Sequence, residues 1–244
     1  MKTLFNERPL VAAAGLLGLA LIVCASVASY TAYSIKAAQD IVEVTGSAKV
    51  PVAADFARFT VTLEARTGTQ NQAEGYTRLE SATTKILSYL ANQGFTDVEA
   101  PAPSAYPTYT YPQYGEPIMT GYQVNRQIIV RSADIDKVET LAGSIEPLTG
   151  AGYTVSTGMV ELTYQNLPET RVALLTEAIA DAKARAEAIA KETGRDVGTL
   201  RSATSGVVQV LPAGSVDISD YGMYDTQSRH KEVMVTVRAS FSLK

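Results

Sequence analysis

Between Arg8 and Lys36 the chain carries no charged side chain, and residues 9–35 include the apolar run from Leu10 to Cys24. As a helix rising about 1.5 Å per residue, this segment would extend roughly 40 Å. The hydrocarbon core of a bilayer is about 30 Å thick. The chain is therefore expected to be tethered to a membrane or exported across one. Two readings follow. Small residues in Ala25-Ser-Val-Ala28 suit cleavage of a signal peptide. Retention is favoured by length, and by Tyr30 and Tyr33, which follow the run where an interfacial aromatic belt would sit. Ala14-xxx-Gly18 adds a small-xxx-small face for helix association.

On the retained reading, residues 1–8 form a cytoplasmic stub. A signal-anchor helix then spans the membrane over 9–35, with Leu10, Leu16, Leu17, Leu19, Leu21, Ile22 and Val23 as anchor residues. Residues 36–244 lie outside, in the periplasm or extracellular space, because Lys2, Arg8 and the α-amino group outweigh Glu7 on the inner side. Cys24, the single cysteine, sits in the apolar run, so no intramolecular disulfide can brace the exported part. Val23 before it, where a small residue would be wanted, argues against a lipoprotein.

The exported part is long enough to bury a core. Its charge is acidic: the chain carries −4, and Lys2 and Arg8 exceed Glu7 by one, leaving −5 for the remainder. That balance argues against nucleic acid or anionic lipid as a main partner. Tryptophan is absent, whereas there are 13 tyrosines, several of them clustered.

Clean alternation marks four strands. Val42, Val44, Gly46, Ala48 and Val50 share a face of the first. Phe59, Val61, Leu63 and Ala65 oppose Arg58, Thr60, Thr62, Glu64 and Arg66 in the second. Tyr122, Val124, Arg126, Ile128 and Val130 alternate in the fourth. Val233, Val235, Val237, Ala239, Phe241 and Leu243 form one face of the last. Helical spacing joins Tyr76, Leu79, Thr83, Ile86 and Leu90, with Thr69 and Gln72 as a capping box and Gly94 as a stop. Asp134 caps a short helix carrying Val138, Leu141 and Ile145, ended by Pro147. A long alanine-rich helix runs from Pro168 to about Thr193, with Gly194 at its C-terminal cap and i, i+4 pairs Asp181–Arg185 and Glu187–Lys191. Its alanines predict close helix-on-sheet packing. The predicted order is strand, strand, helix, strand, strand, short helix, strand, long helix, strand, strand. This is an α+β fold of mixed or antiparallel sheets, with strand–helix–strand units and helices on one face. First and last long strands are expected to pair, with no linker dividing the domain.

Two segments break the pattern. Residues 101–115 carry Tyr106, Tyr109, Tyr111 and Tyr114 among four prolines, and residues 211–231 carry Tyr221 and Tyr224. Each reads as a hairpin arm, about 100–120 and 211–231. The tyrosines are candidate interface residues, since tyrosine supplies rigid contact area with a polar tip. Packing on their own hairpin and stacking on a ligand are the other two readings.

Val44-Thr-Gly-Ser-Ala-Lys49, Gly121-Tyr122, Asp134-Ile-Asp-Lys-Val138, and then Glu177-Ala178, Asp181-Ala-Lys-Ala-Arg185-Ala and Gly194 occur in that order. The ordered set resembles the SIMPL-domain family of bacterial envelope proteins over roughly residues 41–244. The resemblance implies an export signal or anchor, an extracytoplasmic site, and ring-like homo-oligomers in some members. It implies no established enzymatic activity and supplies no catalytic residues.

The residues themselves offer little catalysis. His230 is the only histidine, which excludes a His-based triad or a multi-His zinc site within one chain. No Gly-x-Ser-x-Gly elbow, phosphate loop or dinucleotide fingerprint occurs. Asp217, Asp220 and Asp225 do not have EF-hand spacing. Glu64 and Glu161 read as solvent-facing strand positions, unless the fold pairs their carboxylates. The expectation is a non-enzymatic protein with no catalytic, cofactor or metal residues and no cofactor. Its partners would be itself, as a homo-oligomer, and membrane lipid through the N-terminal helix, with no nucleic acid. The competing readings are a periplasmic binding module for an envelope glycan or peptide, and a hydrolase with an unfamiliar site.

Overall fold

The computed structural model describes residues 8–215 and 221–244, and within the first helix it describes side chains at 13 and 15–31. In chain order the elements are α1 (Arg8–Gln39), β1 (Ile41–Ala53), β2 (Phe56–Thr67), α2 (Gln72–Asn92), β3 (Asp97–Glu99), β4 (Ser104–Thr110) and β5 (Ile118–Ser132). Then come α3 (Ile135–Gly143), a 3₁₀ turn (Glu146–Leu148), β6 (Thr154–Thr157), β7 (Glu161–Thr163), α4 (Leu167–Glu192), β8 (Val197–Ser205), β9 (Gln209–Pro212) and β10 (His230–Leu243).

The α+β class is as expected, and the strand pairs with a described register are antiparallel. Three strands lie between α2 and α3 where two were predicted, two between α3 and α4 where one was predicted, and three after α4 instead of two. The additions are short, like β3 and β7 with three residues each. Alternation cannot register over so few positions. Among the described residues no helix is long and apolar enough to cross a membrane. The expected spanning helix over 9–35 is thus not supported by the described side chains.

The chain divides into two compact units, each assembled from separate segments. The first takes residues up to Ala48, Leu175–Gly206 and Thr236–Lys244; the second takes Lys49–Leu174 and Val207–Val235. Three of the four boundaries fall inside β1, α4 and β10, and the fourth falls in the short connection between β8 and β9.

In the first unit, β10 lies between β1 and β8, which pairs the first and last long strands as predicted. Val42, Val44, Val237, Ala239 and Phe241 pack with Ala178, Ala182 and Ala186 of α4. Those alanines recur every fourth residue and form one helix face, which gives the close helix-on-sheet packing their composition predicts. Arg185 pairs with Asp181 at 2.9 Å as expected, whereas Glu187 pairs with Lys183 at 3.6 Å instead of Lys191. Gly194 turns the chain at φ +69°.

In the second unit, β2 pairs with β5 from Ala57↔Ser132 to Thr67↔Tyr122. The short strands β3 and β4 flank β5, while β6 and β7 flank β2. Phe59, Val61, Leu63 and Ala65 face Leu79, Ala82, Ile86 and Leu90 of α2 and Val138 and Leu141 of α3. Burial of this face, with both helices on it, is the main source of the unit's stability. The predicted capping box at α2 does not form. Asn71 is the N-cap and makes no side-chain cap bond. A turn in which Asn71 N–H donates to Gly68 O at 3.1 Å starts the helix beyond Thr69. At α3, Asp134 accepts from Lys137 N–H at 3.1 Å as expected, but the helix ends at Gly143 and Pro147 falls in the 3₁₀ turn.

Candidate functional site

The motif residues serve packing. A Cβ on Gly46 would stand 2.2 Å from Ala178 O and 2.4 Å from Ala182 N, so glycine alone lets β1 touch α4. Next to it, Ser47 N–H donates to Asp181 Oδ2 at 2.8 Å. That bond, and then the Arg185 guanidinium, hold the Asp181 carboxyl below its usual range. A Cβ on Gly121, at φ +156°, would stand 1.9 Å from Thr67 O. Asp134 is a helix cap.

The face of the six-stranded sheet away from its core offers more. Register sets Ser104, Asn125, Glu64 and Thr154 in one row across β4, β5, β2 and β6. In the neighbouring rows Tyr106 stands opposite Gln123 and Gln123 opposite Arg66, while Gln127 stands opposite Thr62. A cleft of about 400 Å³ is lined by Thr62, Glu64, Pro101, Ser104, Tyr106, Gln123, Asn125 and Gln127 among others. A second cleft, of about 500 Å³, lies beside Glu64, Arg66, Gly152, Tyr153 and Thr154. Glu64 borders both. Its carboxylate accepts from Arg66 Nε at 2.8 Å and from Gln123 Nε2 at 2.9 Å; the same Gln123 nitrogen is 3.3 Å from Asn125 Oδ1. Glu161 pairs with Arg58 at 3.1 Å. The two carboxylates each answer an arginine and do not pair with one another.

The tyrosine arm is an edge hairpin. β4 pairs with β5 from Ser104↔Asn125 to Thr110↔Ile118, with a register shift after Thr108. Pro107, which cannot donate to a ladder, is tolerated on this edge strand. Tyr106, Tyr109, Tyr111 and Tyr114 are all exposed, the last at 86%. Tyr221 is 96% exposed; Tyr224 is also exposed, and it bonds to the Tyr164 backbone. Its hydroxyl accepts from Tyr164 N–H at 3.2 Å and lies 3.4 Å from Tyr164 O as donor. In α1, Leu16, Leu17, Leu19, Leu21, Ile22 and Val23 are all exposed. The Leu10 side chain lies outside the described residues.

A buried ion pair escaped sequence reading. The Lys231 side chain is fully buried and its ammonium lies 3.2 Å from Asp225 Oδ2; that carboxylate is 7% exposed. Asp225 also accepts from the backbone N–H groups of Gln227 at 2.8 Å and Ser228 at 3.2 Å. Burial pushes its carboxyl up, but the Gln227, Ser228 and Lys231 hydrogen bonds outweigh burial and hold it below the usual range. The signal was there: Lys231 lies in phase with the inward Val233 and Val235. His230, predicted in a loop, is exposed at the start of β10. Asp217 and Asp220 lie outside the described residues. Among the described residues no group of three or more His, Cys, Asp or Glu is placed to hold a metal ion.

A search of curated proteins found no match for the chain. The SIMPL family model, described as a protein of unknown function (DUF541), matches residues 42–241, and so takes in each of the packing motifs above. On that match, which spans both units, this chain belongs to the SIMPL family.

Proposed function

We propose that this protein is a membrane-anchored structural component of the cell envelope, without a catalytic step of its own, that self-assembles into a ring- or cage-like homo-oligomer. The observation that carries this reading is the exposed tyrosine-rich edge hairpin, β4 and the start of β5. An edge strand presents unpaired backbone groups, and four exposed tyrosines around it supply the rigid aromatic area typical of interfaces. The helix α1 supports anchoring: its exposed Leu16, Leu17, Leu19, Leu21, Ile22 and Val23 find no cover among the described residues. Such a surface favours lipid. With residues 1–8 inside, the bulk of the chain stands outside the membrane. Many anchors on one particle add avidity without new chemistry.

Light scattering on the detergent-extracted, full-length protein, with intact-chain mass spectrometry on the same sample, tests this. The expected result is one large, discrete particle whose subunits retain residues 1–35. Tyr109→Ala with Tyr111→Ala is expected to lower the particle mass. An unchanged mass in that double variant refutes the hairpin as the interface, and a monomer lacking the apolar segment refutes the whole reading.

A further inference from the structure

The outer face of the six-stranded sheet carries free recognition groups beside a charge that is already answered. Among the described residues, the side chains of Thr62, Ser104, Tyr106 and Gln127 make no hydrogen bond within the chain, yet all four line one cleft. Across the sheet the row Ser104, Asn125, Glu64, Thr154 is roughly 14 Å long at about 4.8 Å per strand. The one carboxylate in the cleft is matched by Arg66, so an anion or a cation gains little there. A peptide joining a sheet does so through backbone groups at an edge. In the row of Asn125 and Glu64, β5 and β2 are hydrogen-bonded to neighbours on both sides, so the floor of the cleft reads a ligand through side chains.

We infer that this face binds a neutral, hydroxyl-rich chain, an oligosaccharide, through Thr62, Ser104, Tyr106, Gln123, Asn125 and Gln127. The side-chain chemistry fits that class. Each amide holds donor and acceptor in one plane, and each hydroxyl does both, as do the hydroxyls of a sugar. Tyr106, 58% exposed beside Gln123, offers a flat ring to the C–H face of a pyranose, with its own hydroxyl at the rim. The open, polar floor accommodates bridging water without loss of affinity. The site shares Tyr106 with the exposed hairpin, but Thr62, Gln123, Asn125 and Gln127 lie on β2 and β5, away from the hairpin's tip.

The test is calorimetric titration of the full-length protein, in a detergent without a sugar headgroup, with chitopentaose, cellopentaose and maltopentaose. An oligogalacturonate of the same length serves as the charged comparison. At least one neutral pentasaccharide is expected to bind, more tightly than the charged one. Tyr106→Ala and Gln127→Ala are each expected to weaken it about tenfold, while Tyr111→Ala leaves it unchanged. Both variants alter exposed side chains, and an unchanged circular dichroism melt confirms that the fold is kept. Absence of binding by all three neutral sugars at millimolar concentration overturns the inference. So does equal affinity in the Tyr106→Ala and Gln127→Ala variants, or tighter binding of the oligogalacturonate.

Discussion

Replacing Asp225 by alanine leaves the Lys231 ammonium fully buried with only the carbonyl oxygen of residue 225 as a partner among its present ones. Removing one member of a buried pair costs about 3–5 kcal/mol, mostly because the other charge is stranded. The Gln227 and Ser228 N–H groups lose their acceptor as well, although water can reach a site opened at the loop. We therefore expect about 4 kcal/mol for Asp225→Ala. For Lys231→Met we expect about 2 kcal/mol: the aliphatic volume is kept, and the Asp225 carboxylate retains its backbone donors. The double variant should cost less than the sum by about 2 kcal/mol, since neither charge is then stranded. In thermal melts a loss of 4 kcal/mol corresponds to roughly 8–16 °C in Tm for a unit of this size. The sign with pH follows from the lowered Asp225 carboxyl. Its contribution is present above the unfolded carboxylate value near 3.9, and is lost as pH falls through the lower folded value. The Asp225→Ala deficit should accordingly be full at pH 7 and shrink below about pH 4. Urea titration of the four members of the cycle, at both pH values, measures all of this. A coupling under about 0.5 kcal/mol at pH 7 would mean that the pair is solvated and that the reasoning from burial fails.

Gly46→Ala should destabilise by about 3 kcal/mol, the upper end for overpacking, because the new Cβ would meet Ala178 O and Ala182 N on the helix backbone, which cannot swing aside; an unchanged urea midpoint would contradict this. Asp134→Ala should cost about 1 kcal/mol through loss of the α3 cap, while Asp134→Asn should recover most of it, read as a paired shift in thermal midpoint. Leu79→Ala, at a site with no exposure, should cost about 2–5 kcal/mol; a smaller loss by chemical denaturation would show that the α2 interface collapses into the cavity.

Legibility in the sequence followed the length of each pattern. β2 and β10 are 12 and 14 residues long and alternate through most of their length, enough to assign both strand and inward face. The inward phase of β10 continues to Lys231, but a lysine breaks an apolar pattern. Its burial depends on Asp225, six residues earlier, which the loop leading into β10 folds back onto it. Arg126 behaves alike: it stands in phase with Val124 and Ile128, and its guanidinium turns away to Glu80 and to Ala100 O. The tyrosine arm was visible as composition, and only pairing with β5 makes part of it an edge strand. Within that arm, exposure separates the tyrosines from any role in their own unit's core.

Local rules were therefore readable from the chain alone: the charge-free segment, the long strands, the Asp134 cap, the glycine stops and the alanine face of α4. Each depends on neighbours within a few residues, where periodicity and capping act. The ordered motifs also pointed to the SIMPL family, which the match over residues 42–241 bears out. Only the tertiary structure decided which side chains share a surface. The row Ser104, Asn125, Glu64, Thr154 draws on four strands far apart in sequence. A slip of one residue in any pairing would send that strand's contribution to the opposite face. Hydrophobic burial of the inner faces fixes the register, and with it the outer surface.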